Sequence, residues 1–225
     1  MAVLYIVATP IGNLEDVTLR ALRILKEVDL ILCEDTRRTK RLLNRYQIDT
    51  PTISYHQHIH KSKIDFILNQ LKLNKKIALV SEAGTPGIND PGAELIRLIR
   101  QSFSGEIKII PIPGPTALAA AFSVAGISGS KFIFLGFPPH KKKREKFFRE
   151  VADSKYPVIL FESPHRLIKT FKDLEKFLGV EKQIFVCREL TKKFESFYQG
   201  SVKDMLKIFK DKQKLKGEFV IITNY

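Results

Sequence analysis

The run Ser81-Glu82-Ala83-Gly84-Thr85-Pro86-Gly87-Ile88-Asn89-Asp90-Pro91-Gly92 follows directly on the apolar stretch Ile77-Ala78-Leu79-Val80. A buried strand that empties into three glycines, two prolines and small side chains brings main-chain N–H and C=O groups close to a ligand. Two more apolar runs end the same way. Val3 to Ala8 leads into Thr9-Pro10-Ile11-Gly12-Asn13, and Ile107 to Ile110 leads into Pro111-Ile112-Pro113-Gly114-Pro115-Thr116. Three such exits predict a cofactor crevice at the carboxyl edge of a parallel sheet. None is a G-x-G-x-x-G or a G-x-x-x-x-G-K-[ST] motif, so the pattern favours a cofactor without phosphates, held by backbone groups.

Side-chain chemistry gathers at other strand ends. Glu34-Asp35-Thr36-Arg37-Arg38 follows the run ending at Cys33, where acidic and basic groups packed together suit catalysis. A helix cap by Asp35 or Thr36 is the structural alternative. His56, His58 and His60 alternate and would share a face in an extended segment; a substrate-contacting loop fits them better than a metal, since no cysteine is near. Phe161-Glu162-Ser163-Pro164-His165-Arg166 holds serine and histidine but no nucleophile elbow. The run Lys141-Lys142-Lys143-Arg144, with Lys146 and Arg149 beside Phe137, Phe147 and Phe148, suits phosphate contacts. Arg188-Glu189-Leu190-Thr191-Lys192-Lys193 and Lys216-Gly217-Glu218-Phe219 are further candidates.

Short β-branched runs alternating with helix-period segments must position these groups. Strands are expected near Leu4–Ala8, Leu30–Cys33, Thr52–Ser54, Ile77–Val80 and Ile107–Ile110. The first helix carries Leu19, Leu22, Leu25 and Val28 on one face with Asp16 as N-cap, and Pro91 sits in the first turn of another. Pro111–Pro115 is the predicted boundary, because it cannot continue a strand or sit mid-helix, giving an N-terminal α/β domain 1–112 and a C-terminal one 113–225. An alanine-rich helix, Phe132–Leu135, a basic helix from about Lys142, Val158–Phe161, a helix Arg166–Phe177, Ile184–Arg188, Glu195–Gln199 and Glu218–Thr223 follow, the late strands antiparallel.

The 225 residues hold 38 Lys and Arg against 24 Asp and Glu, a net charge of +14. Up to Ile112 there are 16 basic and 12 acidic residues, and after it 22 and 12, so the second half carries most of the excess. That asymmetry points to a polyanionic partner. Cys33 and Cys187 lie in apolar runs and read as buried free thiols of a reducing compartment. Neither a signal peptide nor a span of ~20 apolar residues is expected, which predicts a cytoplasmic protein with no membrane association.

Taken in order, Tyr5–Leu14, Glu34–Arg37, Ser81–Gly92, Pro111–Ala117, Glu162–Arg166, Arg188–Lys192 and Lys216–Phe219 resemble the ribosomal-RNA-methylating branch of the tetrapyrrole methylase superfamily, from Leu4 to Phe219. The resemblance implies S-adenosylmethionine as cofactor and 2′-O-methylation of a cytidine in 16S rRNA of the small ribosomal subunit. It also implies a homodimer of two-domain α/β chains, with a parallel-sheet N-terminal domain, a mixed-sheet C-terminal domain and a cofactor cleft between them. Carried over by motif, Ile11, Gly12, Ser81, Ala83, Gly84, Thr85, Ile88, Gly114, Thr116, Ala117, Glu162 and Leu190 border the cofactor. Glu34 or Asp35 is the candidate base with Arg37 on a phosphate, and Lys192 is a second candidate, since a lysine among cations loses its proton more readily. Lys141, Lys142, Lys143 and Arg144, with Arg166, are the expected RNA contacts, and no metal is expected. The chain has Glu82, Gly87 and Asn89 where the family has Asp, Leu and Ser. Asn13 replaces an aspartate of the porphyrin-methylating relatives, which counts against the first alternative, a C-methyltransferase for an acidic tetrapyrrole. A non-catalytic rRNA-binding assembly factor is the second.

Overall fold

A computed structural model of the chain describes residues 1–56, 60–128 and 130–223. The chain divides into two compact units, one from Met1 to Thr116 and the other from Ala117 onward; the boundary expected at Ile112 lies four residues earlier.

The first unit is a five-stranded, wholly parallel sheet. Its strands are β1 (Val3–Val7), β2 (Leu30–Cys33), β3 (Thr52–Ser54), β4 (Lys76–Leu79) and β5 (Lys108–Ile112), in the spatial order β3-β2-β4-β1-β5. Alternation along each strand sends residues to two separate cores. Leu4, Ile6, Leu32, Ile77 and Leu79 pack with Ile67 and Leu71 of α3 (Lys61–Lys72) and Leu95 and Ile99 of α4 (Ala93–Phe103). Val7, Ile31, Cys33 and Ala78 pack with Ile24 and Leu25 of α1 (Leu19–Glu27) and Leu42 and Leu43 of α2 (Thr36–Arg45). Burial on both faces is why these strands read as continuous apolar runs.

Three local expectations are corrected. Thr18, not Asp16, caps α1, its hydroxyl accepting the Ala21 N–H, while Asp16 belongs to a single 3₁₀ turn. Pro91 lies outside α4, whose N-cap is Gly92 at φ 140°. Strand β5 continues through Pro111, which stands opposite Ile6. It does so because β5 is the sheet's edge, where a missing N–H leaves no ladder bond unmade.

The second unit is a mixed sheet in the order β6-β7-β10-β8-β9. Strands β6 (Ile133–Gly136) and β7 (Val158–Glu162) are parallel, whereas β10 (Phe219–Thr223) runs antiparallel to both β7 and β8 (Gln183–Arg188), and β8 antiparallel to β9 (Ser196–Ser201). One face is covered by α6 (Arg144–Asp153), α7 (Leu167–Leu178) and α8 (Val202–Ile208) through Phe148, Phe171, Leu174, Met205 and Phe209. Helix α5 (Ala117–Val124) opens the unit. Helix α8 is absent from the sequence reading, although Ser201-x-x-Asp204 announces it. The Ser201 hydroxyl accepts the Asp204 N–H and the Asp204 carboxylate accepts the Ser201 N–H, a reciprocal cap. Among the described residues no helix is long and apolar enough to cross a membrane.

Candidate active site

In the first unit every strand ends at the same edge, and the glycine-bearing loops meet there. Thr9 and Gly84 exchange backbone hydrogen bonds of 2.9 Å in both directions, joining the exits of β1 and β4. The Thr9 hydroxyl donates to the Ser81 carbonyl at 3.3 Å, and the Ser81 hydroxyl to the carbonyls of Ala83 and Gly84. The Thr85 hydroxyl donates to the Pro115 carbonyl at 3.1 Å, which ties in the exit of β5. Gly84 adopts φ +79°, and a Cβ there would stand 3.3 Å from Ile11 and 3.6 Å from the Pro115 carbonyl. At Gly114 a Cβ would stand 2.9 Å from that of Ala8. Glycine is therefore required at two of the three exits by how closely the main chains approach.

This arrangement fits the implied S-adenosylmethionine. The main-chain N–H groups of Ala83 and Thr85 make no hydrogen bond among the described residues and belong to half-exposed or exposed positions. Polar main-chain groups left open beside small side chains are what an adenosine and an amino-acid carboxylate require. Ile11, Gly12, Ser81, Ala83, Gly84, Thr85, Gly114 and Thr116 are thus drawn from three loops to one edge. Gly87, at φ +87°, and Asn89, at φ +64°, take left-handed conformations. A Cβ at Gly87 would meet nothing within 4 Å. A cavity of about 600 Å³ lies beside Gly87 and Ile88 and is completed by Ile96, Arg97 and Arg100 of α4. Asn13 caps the 3₁₀ turn, its side chain accepting the Glu15 N–H.

The chain leaves β2 toward β3 but leaves β4 toward β5, so the crossovers part between β2 and β4. Glu34, Glu82 and Asp90 sit at that point. Burial, and then the Glu82 charge, push the Glu34 carboxyl above its usual range. Burial and the Glu34 charge push Asp90 up to about 6. Glu82, one methylene longer than the family's aspartate, forms an ion pair with Arg38 of α2. Asp35 is the N-cap of α2, accepting the N–H groups of Arg37 and Arg38. Hydrogen bonds from the Arg37 side chain and backbone hold its carboxyl below the usual range. The Arg37 side chain is 90% exposed and pairs with Asp35 at 3.2 Å. Of the pair left open by the sequence, Glu34 has the environment of a base and Asp35 that of a cap. Asp90 is absent from the sequence candidates; its polar-loop setting gave no sign that folding would half-bury it among carboxylates. Of the alternating histidines, His58 lies outside the described residues.

In the second unit Glu162, Phe219, Arg188 and Ser196 end or begin their strands at one edge, in register, while Gly136 ends β6 opposite Leu160 after a register shift. The Lys192 ammonium pairs with Glu189 at 2.9 Å and with Glu218 at 3.0 Å. Burial favours loss of its proton, but these carboxylates outweigh it and keep the ammonium charged. Lys192 is thus placed among anions rather than cations, the reverse of the premise that made it a base. Glu189 and Thr191 are held at positive φ, 55° and 64°. Gly217 makes room for Glu189, since a Cβ there would overlap the glutamate side chain. Leu190 is buried, and the Glu162 carboxylate is buried and bonded to the Ser163 N–H, the Thr170 hydroxyl and Arg166. Any cofactor contact from Glu162 falls to its main chain.

The expected RNA contacts divide. Lys141, Lys142 and Lys143 are exposed. Arg144 is buried at the start of α6, paired with Asp173 at 2.7 Å, and Arg166 pairs with Glu162 at 3.0 Å. Each of these two guanidiniums is paired with a carboxylate, Arg144 in the interior and Arg166 half-buried, so they sit differently from the three lysines. Cys33 and Cys187 are buried free cysteines, and burial raises both thiols, Cys187 to about 12.

A parallel α/β unit with a glycine-built edge, followed by a mixed-sheet unit, is the architecture of a class of methylases. Residues 3–206 match the tetrapyrrole (corrin/porphyrin) methylases. Among solved structures, a cobalt-precorrin-4 methyltransferase of cobalamin biosynthesis superposes with a TM-score of 0.72 at 19% identity, over 98% of this chain and 94% of that one. Uroporphyrin-III C-methyltransferase from Thermus thermophilus superposes with a TM-score of 0.69 at 16% identity, over 99% and 94%. At those identities the likeness is one of fold. Sequence relatives are much nearer. A protein of Thermotoga maritima named ribosomal RNA small subunit methyltransferase I is 44% identical over 100% of this chain and 99% of its own length. One of the same name from Synechocystis sp. is 45% identical over 99% of this chain and 78% of its own. The chain belongs to the tetrapyrrole methylase family and, within it, to the ribosomal RNA small subunit methyltransferase I proteins.

Proposed function

We propose that the chain methylates the ribose 2′-oxygen of a cytidine in 16S rRNA of the small ribosomal subunit, with S-adenosylmethionine as donor, as a homodimer. The observation that carries this reading is the end-to-end match to the Thermotoga protein, 44% identical over virtually the whole of both chains. The backbone-lined edge of the first sheet and the exposed lysines of the second unit agree with it.

Bound S-adenosylmethionine supplies a methyl carbon on a sulfonium leaving group; the chain supplies alignment and a base. Alignment is the larger task, because displacement at the methyl carbon is in line. The loops after β1, β4 and β5, joined through Thr9, Gly84, Thr85 and Pro115, give a fixed frame for it. The ribose hydroxyl must lose its proton as its oxygen bonds to carbon. Glu34 receives that proton; a carboxylate whose pKa is raised is a stronger base at neutral pH than an ordinary one. Arg37, exposed on the first turn of α2, engages a neighbouring phosphate. Lys192, kept charged by Glu189 and Glu218, serves electrostatics rather than proton transfer.

The test is transfer of labelled methyl from S-adenosylmethionine to unmethylated small subunits, with the labelled nucleotide mapped. Label on one cytidine 2′-oxygen is the expected result. Cofactor binding without transfer to RNA would overturn the reading and favour a small-molecule methylase.

A further inference from the structure

The loop leaving β6 is gripped at three successive carbonyls. Arg166 Nη1 donates to the Pro138 carbonyl at 2.9 Å, Arg144 Nη1 to Pro139 at 2.8 Å, and Lys169 Nζ to His140 at 3.2 Å. Both arginines are anchored from behind. Arg166 is fixed by Glu162 and the Ser163 hydroxyl, Arg144 by Asp173 and the Thr170 hydroxyl, and Thr170 in turn donates to Glu162. The loop is thereby fastened to α7 and to the end of β7. Lys141, Lys142 and Lys143 follow it immediately and are exposed. Lys143 is held at φ +64°, a conformation that persists in a non-glycine residue only where the surroundings enforce it. Phe137, at the root of the loop, keeps 46% of its surface exposed. An aromatic face beside a lysine run suits nucleic acid, whose bases stack while its phosphates pair.

We propose that Arg144, Arg166 and Lys169 are positioning residues that fix the main chain of residues 137–143, so that Lys141, Lys142 and Lys143 meet RNA phosphates without a loop to order on binding. The proposal rests on the RNA-methyltransferase reading above. Charge is not what the two arginines contribute, since Asp173 and Glu162 already neutralise them. Their contribution is entropic: a flexible loop must be ordered when RNA binds, and that cost subtracts from affinity. Pro138 and Pro139 restrict the same stretch further.

The test measures binding of unmethylated 16S rRNA to the full chain between 50 and 200 mM salt, with thermal melting as the control for folding. Replacing Lys141, Lys142 and Lys143 together by alanine is expected to weaken binding at least about tenfold and to flatten the slope of log affinity against log salt by about 2–3, one phosphate contact per lysine. Arg166→Lys conserves charge but cannot bond Glu162, Ser163 and Pro138 at once; a five- to tenfold loss is expected. In the triple-alanine background Arg166→Lys should change affinity less than twofold, because the lysines it positions are gone. Lys169→Gln alters an exposed side chain that the fold does not need. It should lose two- to threefold in the native background and nothing in the triple-alanine one, and it decides the matter if Arg166→Lys fails to fold. An effect undiminished in the triple-alanine background, or no effect of either variant, would overturn the proposal. Absent or salt-independent binding by the unsubstituted chain would instead overturn the RNA reading, and this proposal with it, before any variant is compared.

Discussion

The two units solve the problem of building a site at a sheet edge in opposite ways. In the first, strand exits are joined through main-chain groups, Thr9 and Gly84 bonding backbone to backbone and the Thr85 hydroxyl donating to the Pro115 carbonyl, and glycines let the chains touch. In the second, the corresponding edge is held by side-chain ion pairs: Arg166 with Glu162, Arg144 with Asp173, and Lys192 with Glu189 and Glu218. Main-chain frames tolerate almost no added volume but are indifferent to charge. Ion-pair frames tolerate modest volume changes but depend on every partner being present. The contrast matches the proposed division of labour, in which the first edge holds the cofactor and aligns the reacting ribose while the second supplies most of the contact to the polyanion.

The sharpest way to break this comparison is to put a side chain into the main-chain frame. Gly84→Val sets a branched residue at φ +79° with its Cβ 3.3 Å from Ile11. Cofactor affinity should fall by more than about 100-fold by calorimetric titration, and methyl transfer should be undetectable, while RNA binding stays within about threefold. Equal loss of RNA binding would show that the two edges do not act separately. Next in size is Glu34→Gln, which keeps the shape of the side chain and removes its basicity. Loss of a general base costs about 10²–10⁴ in rate, so kcat should drop in that range with little change in cofactor affinity. The acidic limb of the pH–rate profile should disappear with it.

The same contrast explains what could be read from sequence. The first unit was legible because its strands are buried on both faces and its loops are punctuated by Gly and Pro, both signals carried by residue type alone. Even there Pro111 misled, because whether a proline may stay in a strand depends on that strand being at the edge. In the second unit residue type is a poor guide. Arg144 stands in a run of cations and reads as one more exposed charge, yet Asp173 lies 29 residues away along the chain and Thr170 lies 26 away. Lys192 reads as a lysine among cations for the same reason, since Glu218 reaches it only through the pairing of β8 with β10. Asp90 and Glu34 show that the limit also applies to the first unit. Their coupling follows from β2 and β4 being neighbours, which no local pattern reveals.

An intermediate effect is expected where a glycine serves an ion pair. Gly217→Ala at φ +109° would force Glu189 aside and with it the partner of Lys192. The predicted outcome is a KM for ribosomal RNA raised about tenfold, with cofactor affinity within about twofold of the native chain. If cofactor affinity falls instead, the Glu189–Lys192 pair serves the methyl donor and the proposed division of labour is wrong.

The smallest effect concerns stability and tests whether the first unit is as indifferent to charge as its main-chain frame suggests. Asp90 has its carboxyl raised from 3.8 to about 6 by burial and by Glu34. A raised carboxyl means that the folded state binds more protons than the unfolded state between those values, so this group makes stability fall as pH rises from about 4 to about 6. Above that window the cost of the charged carboxylate is fully present; below it the folded and unfolded forms are both protonated and the cost vanishes. Asp90→Asn removes the charge with little change of shape. Discounted for partial exposure, the variant should melt about 2–4 °C higher than the native chain at pH 7.5, the shift that about 1 kcal/mol produces in a chain of this length. At pH 4 the two should melt together. A difference that does not change between pH 4 and pH 7.5 would mean that Asp90 is held as a hydrogen-bonding group rather than strained as a charge, and that the first edge contains no electrostatic tension for Glu34 to draw on.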